Sequence, residues 1–146
     1  MSNAFIQGNF FLLESSVARH GAKSNLVEYK TALYNAQGEL DDMLIRCFVP
    51  PNQDMVEADT MVFLYGKVIF PTSGPILVEA VAIFPHAKDA EGSGESVFPD
   101  FVPRFFILGH VDHVDSTVVT GYDGKRTFKL LSTAWVRDRL QATAVM

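Results

Sequence analysis

Residues 60–85 read TMVFLYGKVIFPTSGPILVEAVAIFP. Two apolar runs flank a Pro-Thr-Ser-Gly-Pro turn, and single charges sit inside them at Lys67 and Glu79. The aromatic and β-branched content of both runs favours strand over helix. In the first run Phe63, Tyr65 and Lys67 share one parity, while Val62, Leu64 and Val68 share the other. A period of two along a strand sends successive side chains to opposite faces, so the second set is expected to fill a core and the first to lie outside it. Gly66, lacking a Cβ, marks a bulge or bend, and a bulge would shift this phase.

The same period recurs upstream. In NLVEYKTALYN (25–35), Val27, Tyr29, Thr31 and Leu33 alternate with Leu26, Glu28, Lys30, Ala32 and Tyr34. In ELDDMLIRCFV (39–49), Met43, Ile45, Cys47 and Val49 alternate with Leu44, Arg46 and Phe48. Asn35 to Gly38 tolerate a tight turn between them, and Pro50-Pro51 ends the second run because proline donates nothing to a ladder. Residues 5–13 read as a short edge strand or a covering arm, and 15–24 as a loop or a turn of helix. Residues 86–100 are acidic and glycine-containing, the pattern of an exposed loop. RFFILGHV (104–111) reads as a strand. STVVT (116–120) and KRTFKLL (125–131) form a second hairpin across an Asp-Gly turn. Ser132 or Thr133 then caps a helix with Trp135, Val136 and Leu140 on one side, or the strand continues through Trp135.

Bulk composition bounds the rest. With 146 residues, 48% of them hydrophobic and 20% charged, the chain has the size and composition of one domain with its own core, and residues 1–146 are read as a single domain. Acids outnumber bases 17 to 12, a formal charge of −5, which opposes diffuse attraction to phosphate backbones or anionic membranes. A single cysteine excludes an intramolecular disulfide and fits a reducing compartment. The amino end lacks a basic leader, and no run reaches the roughly 18 apolar residues of a membrane helix. An intracellular location, cytoplasmic or nuclear, and no membrane association are therefore expected.

Strands arriving as hairpins, with glycine bends and without alternating helices, exclude an open parallel α/β sheet. The fold expected is all-β: a small antiparallel barrel with one or two short helices, with a sandwich as its rival. The segment 61–84, VFLYGKVI followed by ILVEAVAIF, resembles the paired strands of an OB-fold single-stranded nucleic-acid-binding domain. Phe105 to His110 with Val118 to Phe128 resembles a later part of such a domain, so the likeness covers about half of the chain. It implies a noncatalytic binding module whose aromatics stack bases while scattered cations neutralise phosphates. The residues it points to are Tyr34, Arg46, Phe63, Tyr65, Lys67, Lys125, Arg126 and Lys129. Single-stranded DNA or RNA is the implied partner. A protein partner or a second copy of the chain is the alternative, and a small enzyme with a β-lined cavity is a third.

Little in the sequence argues for catalysis. LGHVDHVDS (108–116) carries His110, Asp112, His113 and Asp115, residue types that ligate divalent ions, with His86 or His20 as further candidates. On a strand His110 and Asp112 face one way and His113 the other, so a structural loop is the plainer reading. Cys47, inside a strand between Ile45 and Val49, packs as a small hydrophobe. Asp41 and Asp42 are adjacent and so face opposite ways, which does not make an acid/base pair. There is no phosphate-binding loop, dinucleotide fingerprint or Gly-x-Ser-x-Gly elbow. No cofactor and no metal is expected.

Overall fold

The computed structural model describes residues 3–35, 37–71, 73–86, 102–111, 130–136 and 139–145. Backbone contacts divide the chain into two compact units, Phe5–Phe105 on one hand and Met1–Ala4 with Phe106–Met146 on the other.

The larger unit is built from β1 (Asn3–Leu12), β2 (Glu14–Arg19), β3 (Asn25–Tyr34), β4 (Leu40–Val49), β5 (Thr60–Ile69) and β6 (Ile76–Pro85). With β7 (Arg104–Leu108) they form one sheet in the order β2-β3-β4-β6-β5-β1-β7. The β3–β4 hairpin is in register from Asn25↔Val49 to Tyr34↔Leu40. Its turn is held by Asn35, whose Oδ1 accepts from the backbone N–H groups of Gln37 and Glu39. Gly38 takes a left-handed φ of 80° there, the conformation its missing Cβ permits.

Alternation explains the core. The inward residues Ile6, Phe10, Leu12, Val27, Tyr29, Met43, Ile45, Val49, Val62, Leu64, Val68 and Val78 are all buried. On β5 the alternation runs without interruption from Thr60 to Val68. The bulge foreseen at Gly66 is present, but its extra residue lies on the partner. The β5–β6 register passes from Tyr65↔Ala82 to Gly66↔Ala80, which leaves Val81 unopposed. Gly66 is required for a second reason. A Cβ on it would stand 2.7 Å from the Glu79 carbonyl oxygen and 2.7 Å from Val78 Cγ1.

The expected antiparallel barrel with short helices is corrected on three counts. First, the sheet is mixed. β6 inserts between β4 and β5, so it runs antiparallel to β5 but parallel to β4, from Met43↔Ile76 to Arg46↔Glu79. Second, the sheet is not closed into a barrel, because its hydrogen-bonded order ends at β2 on one side and at β7 on the other. The chain turns at Leu13, whose N–H donates to the Lys30 carbonyl. β1 therefore pairs with β5 and β2 with β3 instead of extending one ladder. Third, the described residues contain no helix. Residues 14–19 are strand β2 and not a loop or helical turn. Residues 5–13 are not an edge, since β1 lies between β5 and β7.

The smaller unit contains a three-stranded sheet, β10 (Arg139–Val145), β9 (Leu130–Val136) and β8 (His110–Val111). The helix considered from Ser132 or Thr133 is instead the β9–β10 hairpin, in register from Val136↔Arg139 to Leu130↔Val145. A sequence with Thr, Val and Trp favours a strand over a helix, and the ladder satisfies the backbone groups. The loop foreseen over 86–100 and the hairpin of 116–120 with 125–131 lie almost wholly outside the described residues. Among the described residues no helix is long and apolar enough to cross a membrane.

Candidate nucleic-acid interface

The outer face of β5 presents Met61, Phe63, Tyr65 and Lys67, all half-buried. Their flanking strands decide what each one meets. On β1, Phe5 lies opposite Lys67, Gln7 opposite Tyr65 and Asn9 opposite Phe63. The Phe5 and Tyr65 rings stack with centroids 5.4 Å apart and planes 8° from parallel. On β6, Phe84 lies opposite Phe63 and is 60% exposed. At the end of this aromatic strip the backbone N–H of His86 donates to the Met61 carbonyl, and its Nε2 stands 3.0 Å from Asn9 Oδ1. The strip is thus a run of rings on neighbouring strands, with an amide–imidazole pair at one end.

The charges lie at the other end, in a row across four strands. Lys67 on β5 is opposite Glu79 on β6, Glu79 is beside Arg46 on β4, and Arg46 is opposite Glu28 on β3. Arg46 Nε donates to Glu28 Oε1 at 2.7 Å, with both side chains about three-quarters buried or slightly less. The row therefore alternates carboxylate, guanidinium, carboxylate, ammonium. Two strand spacings, about 10 Å, separate Lys67 from Arg46. Next along the same face, Lys30 bonds Glu14 at 2.6 Å in an exposed pair, and the neighbouring carboxylate raises the pKa of the ammonium.

The structure brings together four of the residues singled out from the sequence: Arg46, Phe63, Tyr65 and Lys67. Tyr34 shares their outward parity along β3 but sits six residues from Glu28, about 20 Å away along the strand, and is 71% exposed. It belongs to a different place on the surface. Lys125, Arg126 and Lys129 lie outside the described residues, as do Asp112, His113 and Asp115, and His110 opens strand β8. Among the described residues no three His, Cys, Asp or Glu side chains gather in a way that could hold a metal ion. Cys47 shares the inward parity of Ile45 and Val49, and burial pushes its thiol pKa upward, away from the thiolate a nucleophile needs.

Sequence reasoning missed Phe5, Phe84, Glu28 and Glu79 as members of this face. Phe5 carries a readable signal, because Phe5, Gln7, Asn9 and Phe11 alternate with Ile6, Phe10 and Leu12. The continuous apolar run Phe10 to Leu13 masks that alternation. The roles of the two glutamates follow from pairings between strands distant in the chain, and the sequence does not display those.

No family model and no curated protein sequence matches this chain. Among solved structures it is similar to a deletion mutant of the single-stranded DNA binding protein from Thermus aquaticus. The TM-score is 0.51 at 14% sequence identity, over 99% of this chain and 73% of that one. The likeness is one of fold. The resemblance to an OB-fold single-stranded DNA-binding protein read from residues 61–84 therefore holds at the level of strand arrangement.

Proposed function

We propose that this protein is a noncatalytic binding module that holds single-stranded DNA or RNA across the outer face of β1, β5 and β6. The observation that carries this reading is the stacked Phe5–Tyr65 pair beside Lys67, continued by Phe63 and Phe84. A planar base stacks on the accessible face of a half-buried ring whatever its identity, and each stacked base contributes about 1–3 kcal/mol. Lys67 and Arg46 stand where a backbone would pass, but each lies next to a carboxylate in the register. Stacking, not charge, then supplies most of the affinity, and the salt dependence is shallow. This reconciles the reading with the formal charge of −5. Intracellular location and action without a cofactor belong to the same proposal.

Anisotropy of a fluorescein-labelled 30-mer of deoxythymidine, titrated at 50 and 200 mM NaCl, tests it. Saturable binding is expected, weakened about tenfold by Tyr65→Ala. Absence of binding at the lower salt overturns it.

A second reading, association with another copy of the chain, rests on the charge row. The order Glu28, Arg46, Glu79, Lys67 is self-complementary under a two-fold axis along the strands. Glu28 then faces Lys67 of the second copy, and Arg46 faces its Glu79. Phe48, 50% exposed, and Val81, 60% exposed, follow Arg46 and Glu79 by two residues on their strands and would add apolar area. Light scattering separates the readings, because a stable dimer through this face would block the oligonucleotide.

A further inference from the structure

Strand β2 closes one side of the seven-stranded sheet, and among the described residues no strand lies beyond it. Every residue from Glu14 to Arg19 except Ser15 is exposed. The outward N–H and C=O groups of such an edge are a template for one more strand, and natural edges are blunted by lysine, proline or a bulge. The sequence of β2, ESSVAR, has neither lysine nor proline. It does have a bulge, and the bulge sorts its charges. The register with β3 passes from Val17↔Val27 to Arg19↔Leu26, which leaves Ala18 unopposed.

Five residues along the chain from each other, Glu14 and Arg19 would face opposite ways on an unbroken strand. The extra residue shifts the phase. Glu14 is opposite Lys30, Ser16 opposite Glu28 and Arg19 opposite Leu26, so all three share the outer face. Glu14 gives only its Oε2 to Lys30, in an exposed pair at 2.6 Å, and Arg19 makes no ion pair among the described residues. The strand thus carries an open acid at one end, an open cation at the other, and small residues between them. An antiparallel copy of itself matches this pattern. With a two-fold axis perpendicular to the sheet at Ser16, Ser16 meets Ser16 of the second copy, Ser15 meets its Val17, and Glu14 meets its Arg19 at both ends. Moving the axis to Ser15 or Val17 leaves part of the strand unpaired and separates the charges.

We propose that β2 is an interface for a second copy of this chain, paired antiparallel and edge to edge about Ser16, with two Glu14–Arg19 ion pairs fixing the register. This differs from the face-to-face association described above and does not rest on the nucleic-acid reading. It extends the sheet and keeps the outer faces of both copies on one side. Four strand spacings, about 19 Å, separate β2 from β5, so the aromatic strip stays open. One short strand from each copy buries far less than the roughly 1,200–2,000 Å² of a stable complex, so the association is weak and concentration-dependent.

Sedimentation velocity of the full chain between about 10 µM and 1 mM tests it, and a monomer–dimer equilibrium is expected. Glu14→Arg alone and Arg19→Glu alone each raise the dimer dissociation constant about tenfold, because both pairs become repulsive. Glu14→Arg/Arg19→Glu together restores it to within about threefold. Cross-linking reads the register. In a Cys47→Ser background, Ser16→Cys places a thiol about 5 Å, Cβ to Cβ, from its own symmetry mate and oxidises to a covalent dimer. Ser15→Cys, opposite Val17, does not. Four results overturn the proposal: a monomer throughout the range, a single reversal that dimerises like the wild type, a double reversal that does not recover, or equal cross-linking at the two positions. Should a charge variant fail to fold, the two thiol positions still decide.

Discussion

The charge row makes a specific prediction: neutralising a carboxylate in the proposed interface strengthens binding. In Glu28→Gln the ion pair that holds Arg46 at 2.7 Å becomes a hydrogen bond from the charged guanidinium to a neutral amide oxygen. A phosphate 4 Å from the guanidinium gains about 1 kcal/mol in a water-like dielectric, but a carboxylate about 6.5 Å from that phosphate opposes it by about 0.6 kcal/mol. Glu28 and Glu79 flank Arg46 on both sides, so their summed repulsion of about 1.2 kcal/mol cancels the attraction. Deleting one of them restores a net pull. With the stronger coupling of a partly buried site and screening over about 10 Å, the gain is roughly three- to tenfold in affinity at 50 mM salt. One more phosphate is neutralised, so the slope of log K against log salt steepens by about 0.7, and by about 1.4 in Glu28→Gln/Glu79→Gln. The amide oxygen of the substituted side chain still accepts from Arg46, so the fold loses about 1–2 kcal/mol at this partly buried pair and remains intact. The assay is anisotropy of the labelled thymidine 30-mer between 25 and 300 mM NaCl. Glu39→Gln in the exposed β3–β4 turn serves as a control that changes net charge equally, away from the row. If Glu28→Gln matches Glu39→Gln in both affinity and slope, no phosphate passes Arg46, and the proposed path of the strand is wrong.

Three further outcomes concern the scaffold. Gly66→Ala places a Cβ 2.7 Å from a backbone oxygen and should cost about 2–3 kcal/mol, lowering Tm by about 8 °C. Gly74→Ala meets nothing within 4 Å and should lose only the roughly 1–2 kcal/mol of its left-handed φ, so equal melts for the two variants would refute the steric account. Thr31→Val removes the Oγ1–H donated to the Phe11 carbonyl at 2.7 Å, a buried link between β1 and β3. The urea midpoint should fall by an amount equivalent to about 1 kcal/mol, and an unchanged midpoint counts against that link. Alkaline pH should destabilise the protein. Burial raises the Tyr29 phenol above its ordinary 10.0, against the Val56 N–H it accepts, and burial raises the Cys47 thiol above 9.0. The unfolded chain then loses these protons first, so their contribution is complete below about pH 9 and declines as pH rises toward the folded values. Urea melts at pH 8, 9 and 10 should show that decline, smaller in Tyr29→Phe, and a flat profile contradicts it.

What could be read from the sequence follows from how far the determining interactions reach. Parity is local. The burial of Val62, Leu64 and Val68, and the outward turn of Phe63, Tyr65 and Lys67, were both available from six residues of β5, because each side chain's direction is fixed by its own backbone. The β3–β4 hairpin was available for the same reason, with Asn35 and Gly38 marking its reversal. The parallel β4–β6 pair was not. Nothing in Met43 to Arg46 or Ile76 to Glu79 states that these segments are neighbours, since a chain passing from β4 through β5 to β6 could as well have left β5 between them. The choice left open at Ser132, helix or a strand continued through Trp135 as β9 has it, has the same source. Residues 132–140 satisfy a helical reading one turn at a time, and only pairing with Arg139–Val145 tells against it.

The same distinction governs the site. Lys67 and Arg46 were legible as outward cations, and the rings near them as outward aromatics, so the sequence alone describes a face that ought to attract phosphate. Whether it does depends on Glu79, which meets Arg46 only through the parallel register and Lys67 only through the antiparallel one. One carboxylate on the inserted strand thus stands beside both cations, and the insertion of β6 between β4 and β5 is what puts it there. A chain with the same strands in which β6 lay outside β5 would keep every residue of the face and leave Arg46 beside a different neighbour. The charge pattern of this surface is therefore a property of strand order as much as of composition. A salt slope near zero in the wild type that steepens on loss of Glu79 would trace it to that insertion.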